Sequence, residues 1–266
     1  MKRCAVWILA CLIAVGALCG CGAQQPDASL PKLIIGSDTY PPYVYMDNNG
    51  DITGLDVELA REAFRRMGYE AEFTFIDWER KKALVDNGDI DCIWGCFSMN
   101  GREEDYLWAG PYMVSRQVVA VNRNSDIQTL GDLAGRSIAV QATTKPEELF
   151  LTRSTDDIPE VKAVFSLEDR SVQYAALESG YVDAIAAHEE AITQYMEDYG
   201  AEFRFLDPPL LLSGIGVAFS DNDTRGLAGE LTKTLAEMRQ DGTMLAIVSK
   251  YIEHPEIYLE VETLGR

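Results

Sequence analysis

Residues 90–102 read Ile90-Asp91-Cys92-Ile93-Trp94-Gly95-Cys96-Phe97-Ser98-Met99-Asn100-Gly101-Arg102. The run opens as a buried strand, since Ile90, Cys92, Ile93 and Trp94 are apolar and partly β-branched or aromatic. It closes as an irregular loop carrying Gly95, Ser98, Asn100 and Gly101. The loop delivers one arginine, Arg102, followed by Glu103-Glu104-Asp105. A second apolar segment, Tyr106 to Tyr112, returns to the body. In α/β proteins ligands bind at loops leaving the C-terminal ends of parallel strands. A guanidinium there can clamp a carboxylate through two parallel charge-assisted hydrogen bonds. The competing reading pairs Arg102 with Glu103, Glu104 or Asp105 on the surface.

Outward from this run the chain alternates strand and helix. Leu33 to Ser37 is a strand, and Asp38-Thr39-Tyr40-Pro41-Pro42-Tyr43 is its C-terminal loop. Asp47 to Asp51 is a turn. A helix follows with Asp56 as N-cap, Val57, Ala60, Phe64 and Met67 on one face, and Gly68 as its stop. Glu70 to Phe75 is a strand, and Asp77-Trp78 opens a helix ending at Asn87-Gly88. The order implies a parallel sheet with right-handed crossovers. Gln117 to Val121 is a separate strand. A second unit then alternates in the same way: strand 137–140, polar turn 141–146, helix from Glu147, strand 161–165, helix 169–179, strand 183–187 and helix 189–199. One more strand, 214–219, and two helices close the chain. Two α/β lobes are the expectation.

The N-terminus stands apart. Met1-Lys2-Arg3 is basic, and Cys4 to Leu18 is apolar but short for a membrane span. Leu18-Cys19-Gly20-Cys21 resembles the lipobox of bacterial lipoproteins, which implies lipidation at Cys21 and a lipid anchor on the cell membrane. Residues 1–21 are thus a signal peptide and 22–31 a tether. Only Cys92 and Cys96 remain in the body. On an extended strand they stand roughly 13 Å apart, too far for a disulfide; they read as small buried residues, unless Cys96 turns back in the loop. No metal spacing is present. Without Lys2 and Arg3 the 23 basic residues fall to 21 against 43 acidic, a net charge of about −22. Such a surface argues against nucleic acid as a partner.

Several ordered motifs resemble the extracytoplasmic solute-binding proteins of amino-acid ABC transporters, bacterial family 3. Pro41-Pro42-Tyr43 with Gly54-Leu55-Asp56-Val57-Glu58-Leu59-Ala60 matches the opening signature. Gly88-Asp89-Ile90-Asp91, Gly95, Arg102 and Pro111-Tyr112 match the central one. Leu130 to Val140, Ala176 to Ala184 and Asp241-Gly242-Thr243 complete the set. The resemblance spans Leu33 to about Tyr251. It implies a two-lobed periplasmic-binding-protein-like fold (type II), each lobe a mostly parallel α/β sheet, joined by two crossing hinge strands. Lobe one would be 32–116 and 214–266, and lobe two 117–213. It further implies a monomer that binds an amino acid or related carboxylate between the lobes and delivers it to a permease, without cofactor or catalysis.

The resemblance places the α-carboxylate on Arg102, with help from Gly95, Phe97, Ser98, Gln141 and Thr144. Tyr40 and Trp78 would wall the side-chain pocket, and Asp38 lies beside the ligand in some members. Two positions depart from the pattern. Phe97 and Met99 stand where threonines are usual. His188 stands where an aspartate meets the α-amine; Glu189, next to it, is the substitute, and a carboxylate lacking an α-amine stays open. Two alternatives remain. One is a dehydratase of the cyclohexadienyl or arogenate type using Glu189 as acid. The other is a sensor presenting its solute to a receptor.

Overall fold

The apolar runs of the first half stack as three parallel strands. In the computed structural model, which describes residues 30–155 and 157–264, β1 (Lys32–Ser37) lies between β4 (Glu70–Phe75) and β5 (Cys92–Ser98). The expected signal peptide, Cys21 and nearly all of the tether fall outside the described residues. A two-rung hairpin, β2 (Tyr45–Met46) and β3 (Ile52–Thr53), is set by the Asp47 carboxylate, which accepts from the Asn49 and Asp51 amides. Helix α1 (Leu55–Arg66) buries Val57, Leu59, Ala60, Ala63 and Phe64. Burial of one such large apolar side chain contributes about 1.5–3 kcal/mol.

Helix α2 (Lys81–Asn87) is entered through a 3-10 turn, Trp78–Arg80, capped by the Asp77 carboxylate on the Glu79 amide. Its end is Gly88 in the left-handed region, as Asn87-Gly88 foretold.

Two antiparallel strands lie at the centre of the sheet. β6 (Leu107–Asn122) is 16 residues long. Its antiparallel partner β11 (Leu211–Phe219) pairs with it from Leu107↔Phe219 to Gln117↔Leu211, with one register shift between Ile215 and Val217. Beyond Gln117, β6 pairs instead with β9 (Ala184–His188) and, on its other edge, with β10 (Phe203–Phe205). β7 (Ser137–Gln141) sits between β9 and β8 (Ala163–Leu167), parallel to both. The order is β4-β1-β5-β11-β6-β9-β7-β8. The chain is thus two-lobed, with β6 and β11 as the crossing strands.

Side-chain alternation divides the second lobe's core between the two faces of its sheet. Val119, Val121, Ile138 and Val140 pack on one face, and Val118, Ala120, Ala139 and Ile185 on the other. Helices α3 (Lys145–Thr152), α4 (Arg170–Glu178) and α5 (Glu189–Tyr199) belong to this lobe. The closing helices α6 (Leu227–Gln240) and α7 (Thr243–Val248) add Leu231, Leu235, Met238 and Val248 to the first lobe's core.

Three sequence expectations differ from this picture. β5 runs on to Ser98, so Gly95, Phe97 and Ser98 lie in the strand and not in a loop. The Tyr106–Tyr112 and Gln117–Val121 segments are one strand. Asp56 is not the N-cap of α1, a position held by Gly54. It is fully buried one turn in, where its carboxylate accepts from the Cys96 amide (2.7 Å) and the Tyr112 hydroxyl (2.8 Å), and burial raises its pKa to about 7. Cys92 and Cys96 are free and buried.

Candidate functional site

Where β5 ends, its loop turns back across its own last residues. The Arg102 guanidinium donates to the Ser98 carbonyl (3.2 Å), and its Cζ lies 5.3 Å from the centre of the Phe97 ring. The Trp108 indole fastens the loop by donating to the Arg102 carbonyl (2.9 Å). Among the described residues no carboxylate lies within ion-pair distance of Arg102, which sets aside the surface pairing with Glu103, Glu104 or Asp105. Burial pulls its pKa below the usual arginine value, with Glu148 opposing. Phe97, in place of a hydroxyl, gives the cation an aromatic face. It packs edge-on against Trp78 and Tyr106.

The second lobe meets this loop with the turn between β7 and α3. Thr143 adopts a left-handed backbone (φ 57°) and points its carbonyl at Arg102 (3.3 Å). Its hydroxyl accepts from Lys81 (2.7 Å). Thr144 is the N-cap residue of α3, but its hydroxyl donates to the Gln141 carbonyl (2.6 Å) and not to the helix amides. Lys145 pairs with Glu148 (2.7 Å) and sits against Gly101, where an added Cβ would come within 2.7 Å of the Lys145 Nζ. The N-terminus of α3 favours an anion, though Pro146 there has no N–H and the Glu147 carboxylate already accepts from the Thr143 amide (2.6 Å).

Two further cations lie close by. Lys81 is 6% exposed, donates to the Trp78 carbonyl (3.1 Å), and has its Nζ over the Trp78 ring at 4.8 Å. Burial, reinforced by Arg102 and Arg170, lowers its pKa to about 7. Arg170, the first residue of α4, stacks its guanidinium on the Tyr40 ring at 3.4 Å. Its Nε is 3.5 Å from Asp38, an ion-pair contact but too poorly aligned for a hydrogen bond, so this N–H is unpartnered.

Behind the cleft runs a buried polar chain. Gln117 and His188 Nε2 are 2.8 Å apart, and His188 Nδ1 lies 2.7 Å from the Ser115 hydroxyl. Ser115 donates to Glu190 (2.7 Å), which also accepts from Tyr43 (2.8 Å). With Ser115 committed to Glu190, the consistent tautomer has His188 donating through Nδ1 and accepting at Nε2. Burial, then Arg170, drops the His188 pKa to about 3, so the ring is neutral. Burial raises Glu190 to about 7.

Between the lobes these elements line a cleft. Of the residues expected from sequence, Trp78, Phe97, Ser98, Arg102, Thr144 and His188 line it. Five others stand off the wall. Gly95 packs on Ser37, whose Oγ lies 2.3 Å from where a Cβ would be. Tyr40 is covered by Arg170, with its hydroxyl accepting from the His188 amide (3.2 Å). Asp38 and Gln141 hydrogen-bond each other. Glu189 turns to Arg116 (3.2 Å); burial raises its pKa, with Arg116 opposing. Arg170 and Gln117 line the cleft but carried no motif signal, whereas Thr143 and Lys145 belong to the polar turn 141–145 expected at the ligand. Glu190, not Glu189, enters the buried polar chain.

A family model described as bacterial extracellular solute-binding proteins, family 3, matches residues 33–254. The L-cystine-binding protein TcyA of Bacillus subtilis (strain 168) is 25% identical over 280 residues, covering 94% of this chain and 97% of that protein. The histidine-binding periplasmic protein of Salmonella typhimurium is 27% identical over 240 residues, covering 85% and 90%. In fold the chain is similar to an ABC uptake transporter substrate-binding protein from Streptococcus pneumoniae with bound histidine. The TM-score is 0.77 at 23% identity, over 83% of this chain and 92% of that one. With its two α/β lobes, its crossing strands and an arginine in the cleft between them, the chain belongs to family 3 of the bacterial extracellular solute-binding proteins.

Proposed function

We propose that this protein captures a small carboxylate-bearing solute between its lobes and hands it to an ABC permease. Arg102 holds the carboxylate against the N-terminus of α3, and Trp78 and Phe97 form the apolar wall. The observation that carries this reading is Arg102 itself: a guanidinium in the cleft with no carboxylate of the described residues on it, facing Thr143 and Thr144 of the other lobe. The carboxylate is also the group common to the amino acids that the relatives are named for. In this reading residues 32–116 and 214–266 form one lobe and 117–213 the other. A monomer is held outside the cell by a lipid on Cys21, with 22–31 as its tether. Among the described residues no helix is long and apolar enough to cross a membrane.

A dehydratase would need a carboxylic acid in the cleft to protonate a leaving hydroxyl. The candidate acid, Glu189, is paired with Arg116 away from the cleft wall, which favours binding without catalysis.

Truncating one partner of a buried charged pair costs about 2–5 kcal/mol. Isothermal calorimetry on Arg102→Ala therefore gives at least roughly thirtyfold weaker binding of the solute that native mass spectrometry finds on the purified protein. Undiminished affinity would move the clamp elsewhere.

A further inference from the structure

The cleft wall holds three cationic side chains, Arg102, Lys145 and Arg170, and no Asp or Glu. Lys81 lies directly behind, on the Trp78 ring and the Thr143 hydroxyl. Lys145 and Arg170 each have a carboxylate, Glu148 and Asp38. Among the described residues Arg102 and Lys81 have none within ion-pair distance, and both lie over the Phe97 ring, at 5.3 and 5.7 Å. Two uncompensated cations beside a small desolvated space are costly unless an anion joins them. This cationic cleft sits in a chain whose net charge is −20.

An α-ammonium needs an acceptor, and among the described residues no carboxylate lines the cleft, although Glu190 Oε1 and Glu189 Oε2, off its wall, have no hydrogen-bond partner. His188 has both ring nitrogens bound inside the protein, to Ser115 and Gln117. Glu189 is on Arg116. Asp38 takes Thr39 on one oxygen, and Gln141 and Arg170 on the other. Glu190 is shared by Tyr43 and Ser115 and does not line the cleft. Ser98 Oγ accepts from Gln117 and donates to Ser213. A buried side-chain acceptor left open on the wall is Gln117 Oε1, which can take a hydroxyl or N–H donor but brings no negative charge to meet an ammonium. On residues of the wall, the buried Trp78 indole N–H has no hydrogen-bond partner, and the Arg170 Nε has only its ion-pair contact with Asp38 (3.5 Å).

Taking the Arg102 clamp as given, we infer that the solute is a small dicarboxylate without an α-ammonium. One carboxylate is held by Arg102 and the N-terminus of α3, and the second lies toward Arg170 and Trp78. On this wall His188 is a saturated, neutral imidazole, and the charged side chains are cations.

The test is a matched-pair titration of the full chain by calorimetry: succinate against L-aspartate, and glutarate and 2-oxoglutarate against L-glutamate. The expected result is at least tenfold tighter binding of one diacid than of its amino counterpart. Arg170→Gln should lower affinity for that diacid at least tenfold more than for the monocarboxylate of equal length. An amino acid that binds more tightly than its deaminated partner overturns the inference, as does a failure of every diacid to bind. The Arg102 clamp fails separately: it is lost if Arg102→Ala binds all these ligands as the parent does, whatever their ranking.

Discussion

Replacing Lys81 by methionine tests the electrostatics of the cleft without any ligand. The Lys81 ammonium is 6% exposed, has no carboxylate within ion-pair distance and is flanked by Arg102 and Arg170. Its pKa falls from 10.5 to about 7. Between those values the unfolded chain binds the proton that the folded chain refuses, so stability from this group rises with pH. At about 1.4 kcal/mol per unit, the whole window is worth at most roughly 5 kcal/mol. From pH 7 to pH 9.5 the gain is about 3 kcal/mol. Methionine fills a similar volume and cannot titrate. The assay is urea unfolding of parent and variant at half-unit steps across this range. The variant should be the more stable at pH 7, and its advantage should shrink by about 3 kcal/mol by pH 9.5. Other titrating groups cancel in the difference. A difference constant to within about 0.5 kcal/mol would show that Lys81 is solvated or paired and would refute the reasoning.

Glu190→Gln gives the opposite pH sign: burial raises the carboxyl to about 7 from 4.5, so its stability is full below 4.5 and lost as pH rises through 7. The variant should gain up to about 3 kcal/mol over the parent across that window in urea unfolding, and a flat difference would count against a buried acid. Gly95→Ala places a methyl 2.3 Å from the Ser37 Oγ and should cost about 1–3 kcal/mol of unfolding free energy. Adding Ser37→Ala should recover part of that loss, and equal stability of the single and double variants would locate the strain elsewhere. Arg102→Ala, by calorimetry, remains the direct test of the clamp.

The sequence carried Arg102 through its motif spacing to Gly95 and Pro111-Tyr112 and the polar turn of the second lobe; the stretch by itself left a surface pairing with Glu103, Glu104 or Asp105 open. It did not carry Lys81 or Arg170. Each sits at a helix start among other charged residues, Glu79-Arg80-Lys81-Lys82 and Glu168-Asp169-Arg170, and such runs usually mark a solvated face. What buries them is the opposite lobe, far away in sequence. Glu189 and Glu190 are adjacent and chemically identical. Which one turns inward is decided by Tyr43, 147 residues away. The strand alternation was legible throughout, but β6 was split in two. Pro111, Ser115 and Arg116 interrupt its apolar pattern, because a strand that changes neighbours midway changes what each face must bury. Asp56 was misplaced as a cap for a related reason: its partners, the Cys96 amide and the Tyr112 hydroxyl, belong to other strands.

The β6–β11 pair has a mechanical meaning. The two crossings are adjacent rungs of one ladder, held by backbone hydrogen bonds from Leu107↔Phe219 to Leu211↔Gln117. Two separate strings would let the lobes twist independently about each, whereas a ladder resists shear along its length and yields mainly by flexing across its plane. The lobes therefore share one easy direction of relative movement, that of a leaf spring. Thr143 lies on the far side of the cleft from this spring, gripped by Lys81 and Arg102. Flexing of the spring would be felt at its free end as the making or breaking of those two contacts.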